Sequence, residues 1–385
     1  MGITGEAQAD MRNSRHSRRT GKRLLFLTAV LFIAVGGSCS FPAPPPFDET
    51  KWRLDVERTQ TSDLYAPHFK DGKFFNPWMS SPHGGFVRFM RWKLGCRSSY
   101  TEEEESHKPG FVPYLSSRME SAGSGDYIAW IGHGTFLIKI NGEFWVTDPI
   151  LTDRALLPRR KTPPAMTIEE MAGLPGRLNI VISHNHYDHL DAPTIRGLPA
   201  DARVFVPLRL KDYVRGLGKP RVEELDWWQE IDCGNGVRII CLPAQHWSRR
   251  ITQSTNSTLW ASYLLVSNRT TIYFGGDSGY FLGYREIGRR FQGIDYALLP
   301  LTAYHPRWFM HYAHTDANET LDAFEDLGAR FLIPTQWGTF RLGDEPIGYP
   351  ALDLHRAVQK RGLDASRIRI MDLGQIVPVE PQLKP

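Results

Sequence analysis

Residues 183–191 read SHNHYDHLD and follow directly on the apolar run Ile180-Val181-Ile182. His184 and His186 are two apart, a spacing that puts both side chains on one side only where the chain is extended. Asp188 and His189 follow across a turn. A strand that ends in such a turn converges four candidate ligands, His184, His186, Asp188 and His189, on one point. Neutral imidazole and carboxylate together suit zinc, manganese or iron, and catalytic sites of this kind leave room for water. A lone histidine is more often a packed or surface residue. Four ligand types within six positions, after a buried-type strand, read as a metal site.

Other strand ends carry the same residue types. His246 follows VRIICLPAQ, and Asp277 follows TTIYFGG, where Gly275 and Gly276 let the backbone turn tightly. Each is weak alone, because an aspartate after a glycine pair is usually a turn residue; the set is stronger than its members. The surrounding pattern is regular from about residue 126. DYIAWIGHGTFLIKINGEFWVTDPIL reads as two strands joined at Asn141-Gly142, a strong hairpin signal. LNIVIS and ARVFVP are short apolar strands, with APTIRGL between them as a helix that Asp191 caps and Pro193 opens. VRIICLPA, WASYLLVS and TTIYFGG are further strands. YALLPLT and RFLIPT are buried-type strands separated by the helical DANETLDAFEDLG, and a last helix, YPALDLHRAVQKRG, precedes RIRIMDL. Strands in runs, then strands alternating with helices, define an α/β chain with two sheets covered by helices.

Composition adds exclusions. At 385 residues, 41% hydrophobic and 23% charged, the chain is long enough for a sizeable core and reads as globular. Of its net charge of +4, residues 1–38 supply all: six basic and two acidic residues, leaving 40 of each sign elsewhere. No basic surface remains for nucleic acid. The basic cluster, the apolar LLFLTAVLFIAV and the small-residue GGSC describe a secretory signal over residues 1–38. Cys39 resembles the lipid-modified cysteine of bacterial lipoproteins, although Gly36 stands where a branched residue is usual. An uncleaved apolar anchor is the alternative; either way the folded part is expected outside the cytoplasm, in a bacterial periplasm or held to an envelope membrane through Cys39. A stiff proline spacer, FPAPPPF, follows within a linker of residues 39–50. Residues 51–115 read as an irregular, aromatic-rich arm packing on the core, with Glu102 to Glu105 as a solvated loop. Cys96, Cys233 and Cys241 are odd in number and lack a Cys-x-x-Cys spacing, so neither a disulfide framework nor a zinc knuckle is expected.

His-x-His-x-Asp-His with a later His and a later Gly-Asp resembles the metallo-β-lactamase superfamily, whose fold is a four-layer αββα sandwich. FNPW, TDPI, ISHNHYDHLD, ELDWW, QHW, GDSGY, YHPRWFM and QWGTF, in that order from about residue 74, are similar to segments of the N-acylphosphatidylethanolamine-hydrolysing phospholipase D family. The resemblance implies a hydrolase domain over residues 116–385 with two metal ions, zinc by expectation and manganese or iron as options. It implies His184, His186 and His246 on the first ion, Asp188 and His189 on the second, and Asp277 bridging both. Tyr187 and His314 match positions that contact phospholipid. Asp148, in TDPI, matches an acidic residue that orients a ligand histidine. Gln336 stands where the family has the second ion's last histidine; as a neutral carbonyl donor it implies a weakened second site, or one suited to a harder metal. His305 and His311 are candidate replacements, with plain surface histidines the favoured reading of both.

The chemistry so implied is hydrolysis of a phosphodiester, with hydroxide shared by the ions as nucleophile, Asp188, His314 and Asp148 as the catalytic set, and N-acylethanolamine and phosphatidic acid as products. A phospholipid and a membrane surface are then the partners, with Trp, Tyr and Arg of ELDWW, QHWSRR and YHPRWFMHY at the interface or in the core. Arg249 and Arg250 meet anionic headgroups or lie in solvent. The oligomeric state is left open, with a homodimer one option. Two other readings remain: a hydrolase of the same fold acting on a soluble phosphodiester or a sugar-phosphate lactone, and a non-catalytic envelope lipoprotein whose metal site has decayed.

Overall fold

The computed structural model describes residues 46–82, 86–95 and 98–380. The signal, Cys39, most of the linker and Cys96 lie outside the described residues. Two compact units are distinguished, and one of them is represented among the described residues by the helix Phe86–Leu94 with Gly95. The other unit holds everything discussed below.

Its first large sheet has seven strands: β3 (Tyr127–Gly132), β4 (Thr135–Ile140), β5 (Glu143–Thr147), β6 (Leu178–Val181), β7 (Arg203–Pro207), β8 (Val222–Leu225) and β15 (Ile376–Pro378), ordered β15-β3-β4-β5-β6-β7-β8. The second has six: β9 (Glu230–Asp232), β10 (Val237–Leu242), β11 (Ser262–Ser267), β12 (Thr271–Phe274), β13 (Tyr296–Pro300) and β14 (Phe331–Thr335), ordered β14-β13-β12-β11-β10-β9. A two-stranded ribbon, β1 (Phe69–Lys70) with β2 (Lys73–Phe74), precedes them. Each large sheet is antiparallel on one side and parallel on the other: β5 to β8 run parallel in the first, β12 to β14 in the second.

Period-two alternation layers the molecule. Ile128, Trp130, Phe136, Ile138, Trp145, Val181 and Phe205 of the first sheet share one core with Ile239, Cys241, Tyr263, Leu265 and Phe274 of the second. Their neighbours Tyr127, Ala129, Ile131, Leu137, Val146, Ile180 and Val204 face a separate core beneath the helices Leu115–Ser121, Ile168–Ala172, Ala192–Gly197 and Lys211–Arg215. Beyond the second sheet, helices Gly283–Arg290, Ala317–Leu327 and Tyr349–Arg361 pack together, with Ala317–Leu327 resting on β13. This is the αββα sandwich.

Local signals act as expected at several points. Asn141 and Gly142 both take positive φ, 50° and 79°, as a two-residue hairpin turn demands. Asp191 accepts from Thr194 N to cap the helix Ala192–Gly197, and Asp316 with Glu319 forms a capping box on Ala317–Leu327. Two readings are corrected. The stretch from Asp126 holds three strands, because Gly132-His133-Gly134 breaks the first in two. Glu102–Glu105 is not a loop but the opening of a helix, Glu102–Ser106, capped reciprocally by Thr101 and Glu104; carboxylates at a helix N-terminus oppose the dipole's positive end favourably. Glu104 and Glu105 then pair with Arg356 and Arg341. The arm also contains the helix Glu49–Glu57, and RIRIMDL makes only single bridges, Leu332 to Ile368 and Phe111 to Leu373. No helix among the described residues is long and apolar enough to cross a membrane.

Since β3, β5 and β6 point one way, as do β10, β12 and β14, the residues just past their ends gather at a common edge. His133, Asp148, Ser183, His246, Asp277 and Gln336 all occupy such positions.

Candidate metal centre

His184, His186, His246 and Asp277 each offer one ligand atom to a group whose members lie within 4.8 Å of one another, and His133, Asp188 and His189 form a second such group. In the first, His186 Nδ1 stands 2.8 Å from His184 Nε2 and 3.2 Å from His246 Nε2, and Asp277 Oδ2 stands 3.8 and 3.4 Å from those two Nε2 atoms. In the second, Asp188 Oδ2 lies 3.1 Å from His133 Nε2 and 3.2 Å from His189 Nε2. Bonds of about 2.0–2.1 Å to a tetrahedral ion space the donors roughly 3.3 Å apart. Asp277 joins the groups: its Oδ1 is 3.3 Å from His189 Nε2 while Oδ2 faces His184 and His246.

Partners on the far side of each ring fix which nitrogen is free. Ser183 Oγ donates to Asp148 Oδ2 at 2.6 Å, so at 2.9 Å it accepts from His184 Nδ1. His189 Nδ1 donates to Asp148 Oδ2 at 2.6 Å, and His246 Nδ1 donates to the Ala313 carbonyl at 3.2 Å. A carbonyl only accepts, so the proton sits on Nδ1 and the Nε2 lone pair faces the centre; a ligating histidine is oriented in this way. The expected orienting role of Asp148 thus has its geometry. The loop itself is clamped by Arg250, which is buried and donates to the carbonyls of Asn185 and Leu190 while its guanidinium lies 4.0 Å from the Tyr187 ring centre. Arg250 therefore neither meets headgroups nor lies in solvent; Arg249 is exposed.

The donor set fits divalent ions on three grounds. Burial pushes His184 and His246 well below the usual imidazole range and His186 down to about 4, which keeps them neutral and able to ligate. Burial alone would push Asp188 and Asp277 up, yet His189 holds both well below the usual carboxylate range; burial would push His189 down, yet Asp277, Asp188 and Asp148 hold it well up. Three carboxylates around one imidazole demand positive charge at that spot. Finally, His189 Nε2 and Asp277 Oδ1, both members of the donor groups, are buried without a hydrogen-bond partner, which native proteins rarely leave unexplained.

The remaining site residues are placed as follows. His314 puts its ring 5.4 Å from that of His246. Its loop is held by Arg307, which donates to the His314 carbonyl and pairs with Asp316 and Glu319. Tyr187 is half-buried, with its hydroxyl accepting from Ile251 N at 3.1 Å. Gln336 is buried and donates through Nε2 to the Gly276 carbonyl at 2.9 Å. Neither His305 nor His311 joins a donor group: His305 Nδ1 bonds the Tyr100 hydroxyl at 2.7 Å, and His311 Nδ1 donates to the Arg307 carbonyl at 2.8 Å. The histidine that does join is His133, which the sequence reading passed over inside a supposed strand. A histidine between two glycines in an apolar run was the available signal.

Fold and donor set define the class, a metal-dependent hydrolase of the metallo-β-lactamase fold. The chain belongs to the metallo-β-lactamase superfamily: residues 145–337 match the family described as beta-lactamase superfamily domain. It is 35% identical over 303 residues to N-acyl-phosphatidylethanolamine-hydrolyzing phospholipase D 1 of Caenorhabditis elegans, covering 72% of this chain and 84% of that one. It is 34% identical over 313 residues to an uncharacterized protein of Mycobacterium tuberculosis, covering 76% and 80%. Among solved structures, Igni18, a metallo hydrolase from the archaeon Ignicoccus hospitalis, aligns with a TM-score of 0.51 at 21% identity over 66% of this chain and 98% of that one, a likeness of fold.

Proposed function

We propose that this protein hydrolyses N-acylphosphatidylethanolamine, releasing N-acylethanolamine and leaving phosphatidic acid. The observation that carries the reading is the Asp277 carboxylate set between two donor groups, one oxygen toward each, in a chain 35% identical to a phospholipase of that name. His184, His186 and His246 would hold one ion, Asp188 and His189 the other, and Asp277 both. Zinc suits this nitrogen-rich set, with manganese or iron(II) as options. Bound there, divalent ions supply Lewis-acid charge and a lower pKa for water.

The chain's own residues do the rest. In the net reaction a water oxygen forms a new bond to phosphorus, the bond from phosphorus to the ethanolamine oxygen breaks, and that oxygen takes a proton. His186, Tyr187, Asp188 and His314 are the half-exposed members of the site and form its open side. His314 Nδ1, buried and unpartnered beside His246, is set to donate to a phosphoryl oxygen or to the leaving alcohol. Asp148 keeps His189 in the ligating tautomer. A cavity of about 310 Å³, lined by Phe75, Trp260 and Tyr312 together with the polar Asn76, Ser80 and Asn256, reaches His246; its mixed lining offers both aromatic surface and hydrogen-bonding groups to a substrate.

Incubation of the detergent-purified protein with N-acylphosphatidylethanolamine in mixed micelles tests the reading by product analysis. Release of N-acylethanolamine and phosphatidate, abolished by chelator and restored by zinc or manganese, is expected; no release with any metal removes the proposal. Export and acylation at Cys39 belong to the same reading. Fatty-acid labelling that persists in Cys39→Ser would remove that part.

A further inference from the structure

We propose that His133 is the fourth protein donor to the second ion, doing the work of the histidine that Gln336 replaces; this rests on reading the cluster as a metal centre. Every polar atom of His133 but one is committed elsewhere. Its N–H donates to Thr339 Oγ1 at 2.8 Å, and its carbonyl accepts from Gln336 N at 3.1 Å and Trp130 Nε1 at 2.9 Å. Nδ1 stands 3.1 Å from the Gln336 carbonyl, which only accepts, so Nδ1 carries the proton. Nε2 is left aimed at Asp188 Oδ2, 3.1 Å away. This is the arrangement found on His184, His189 and His246: far nitrogen tied to an acceptor, near nitrogen in the cluster.

The backbone supports the same conclusion. His133 and Gln336 both take the left-handed region, at φ 53° and 72°, and lock each other through the two reciprocal bonds. Left-handed backbone away from glycine costs about 1–3 kcal/mol and persists only where surroundings over-determine it, commonly at functional sites. The strand break at Gly132-His133-Gly134 leaves this ring facing Asp188. The spacings agree too: 3.1 Å from His133 to Asp188, 3.2 Å from Asp188 to His189 and 3.3 Å from His189 to Asp277 are successive edges of one donor shell. Gln336 contributes differently. Its backbone orients His133, its amide nitrogen is anchored on Gly276, and its Oε1 is a neutral, weaker donor than imidazole.

The test uses the full chain in detergent, stripped of metal and titrated with cobalt(II) against a competing chelator, with visible absorption as readout. The wild-type protein should take two ions. In His133→Ala the first should bind as before and the second about 100-fold or more weakly, the upper end of what even an outer partner is worth. His133→Asn keeps a donor for Asp188 but no imidazole, and should stay weak; Gln336→Ala should keep both ions within about threefold. Second-ion affinity in either His133 variant within about threefold of wild type overturns the proposal, as does a wild-type protein that takes one ion. If His133→Ala binds neither, proton NMR of the cobalt-loaded wild type decides. Five histidines with one ring N–H each, His133, His184, His186, His189 and His246, give five exchangeable shifted resonances if the proposal holds and four if it does not. None of these readouts involves turnover, so failure on N-acylphosphatidylethanolamine leaves them standing.

Discussion

Asp148→Asn should damage the second ion's site and largely spare the first. Fully buried Asp148 accepts three hydrogen bonds: Oδ1 from Ser183 N at 2.7 Å, and Oδ2 from Ser183 Oγ and His189 Nδ1, both at 2.6 Å. Asparagine has one acceptor oxygen. With that oxygen kept on Ser183 N, the new amide group faces a hydroxyl and an imidazole N–H. Ser183 Oγ can rotate and accept, and still receive His184 Nδ1–H. His189 cannot; its proton moves to Nε2, the atom that faces Asp188 and Asp277. The loss is one hydrogen bond to a charged acceptor, about 1.5–3 kcal/mol, or one to two powers of ten in affinity, matching the roughly 10–100-fold typical of outer partners. Cobalt titration measures it directly, with the second ion expected to weaken by that amount and the first by less than about tenfold. Equal weakening of both ions, or of neither, refutes the argument that Asp148 acts through the tautomer of His189.

Acid should destabilise the metal-free protein for a specific reason. His184, His186 and His246 are held neutral by burial, His186 down to about 4. The unfolded chain protonates them below about pH 6.5. More protons on the unfolded state at these three means stability lost as pH falls toward 4, while Glu319 and Glu345, pushed up to about 7 by burial, act in the opposite sense. His246→Asn should therefore lessen the drop in melting temperature of the chelated protein from pH 6.5 to pH 5; an equal drop in both proteins contradicts this. Trp52→Phe removes a buried 2.6 Å bond from Nε1 to Glu319 Oε1, which ties the helix Glu49–Glu57 to Ala317–Leu327. It should cost about 1–3 kcal/mol in urea unfolding, and an unchanged midpoint is the contrary result. Arg356→Ala, by contrast, breaks a pair between a half-exposed Arg356 and a half-buried Glu104 and should move stability by about 1 kcal/mol; a shift well above that in the same assay shows that the pair does more than lie on the surface.

Much of the fold was legible because strong local signals agreed with the global arrangement. Asn141-Gly142, the capped helices and the apolar strands each named their element unaided. The clustering of candidate donors on the loop after β6 was legible for the same reason: four ligand types in six positions leave few alternatives. Three things were not. The Glu102–Glu105 helix had a local signal, the Thr101-x-x-Glu104 capping box, which the run of four like charges masked; its pairing with Arg341 and Arg356 lies more than 200 residues away. Arg250 looked like surface because its partners are backbone carbonyls, invisible in sequence. His133 was hidden by burial on all sides, which made GHG read as continuous strand. Family likeness pointed to position 336 for the last ligand, whereas the geometry supplies an imidazole from the other sheet.

The donors come from the ends of strands in both sheets, His133, Asp148 and the 184–189 loop from one, His246, Asp277 and Gln336 from the other. The first donor group draws on the strand ends of both sheets, so an ion there would be held only once the two sheets have docked. Formation of such non-local contacts is the slow part of folding, and since the site exists only in the docked state, the free energy of ion binding would count as folding free energy. An ion in this position works as a late seal between the sheets. Because selectivity among first-row metals in cells rests on geometry, ligand type and availability rather than on raw affinity, a chain built this way would draw its ions from the pool of the compartment in which its two halves meet.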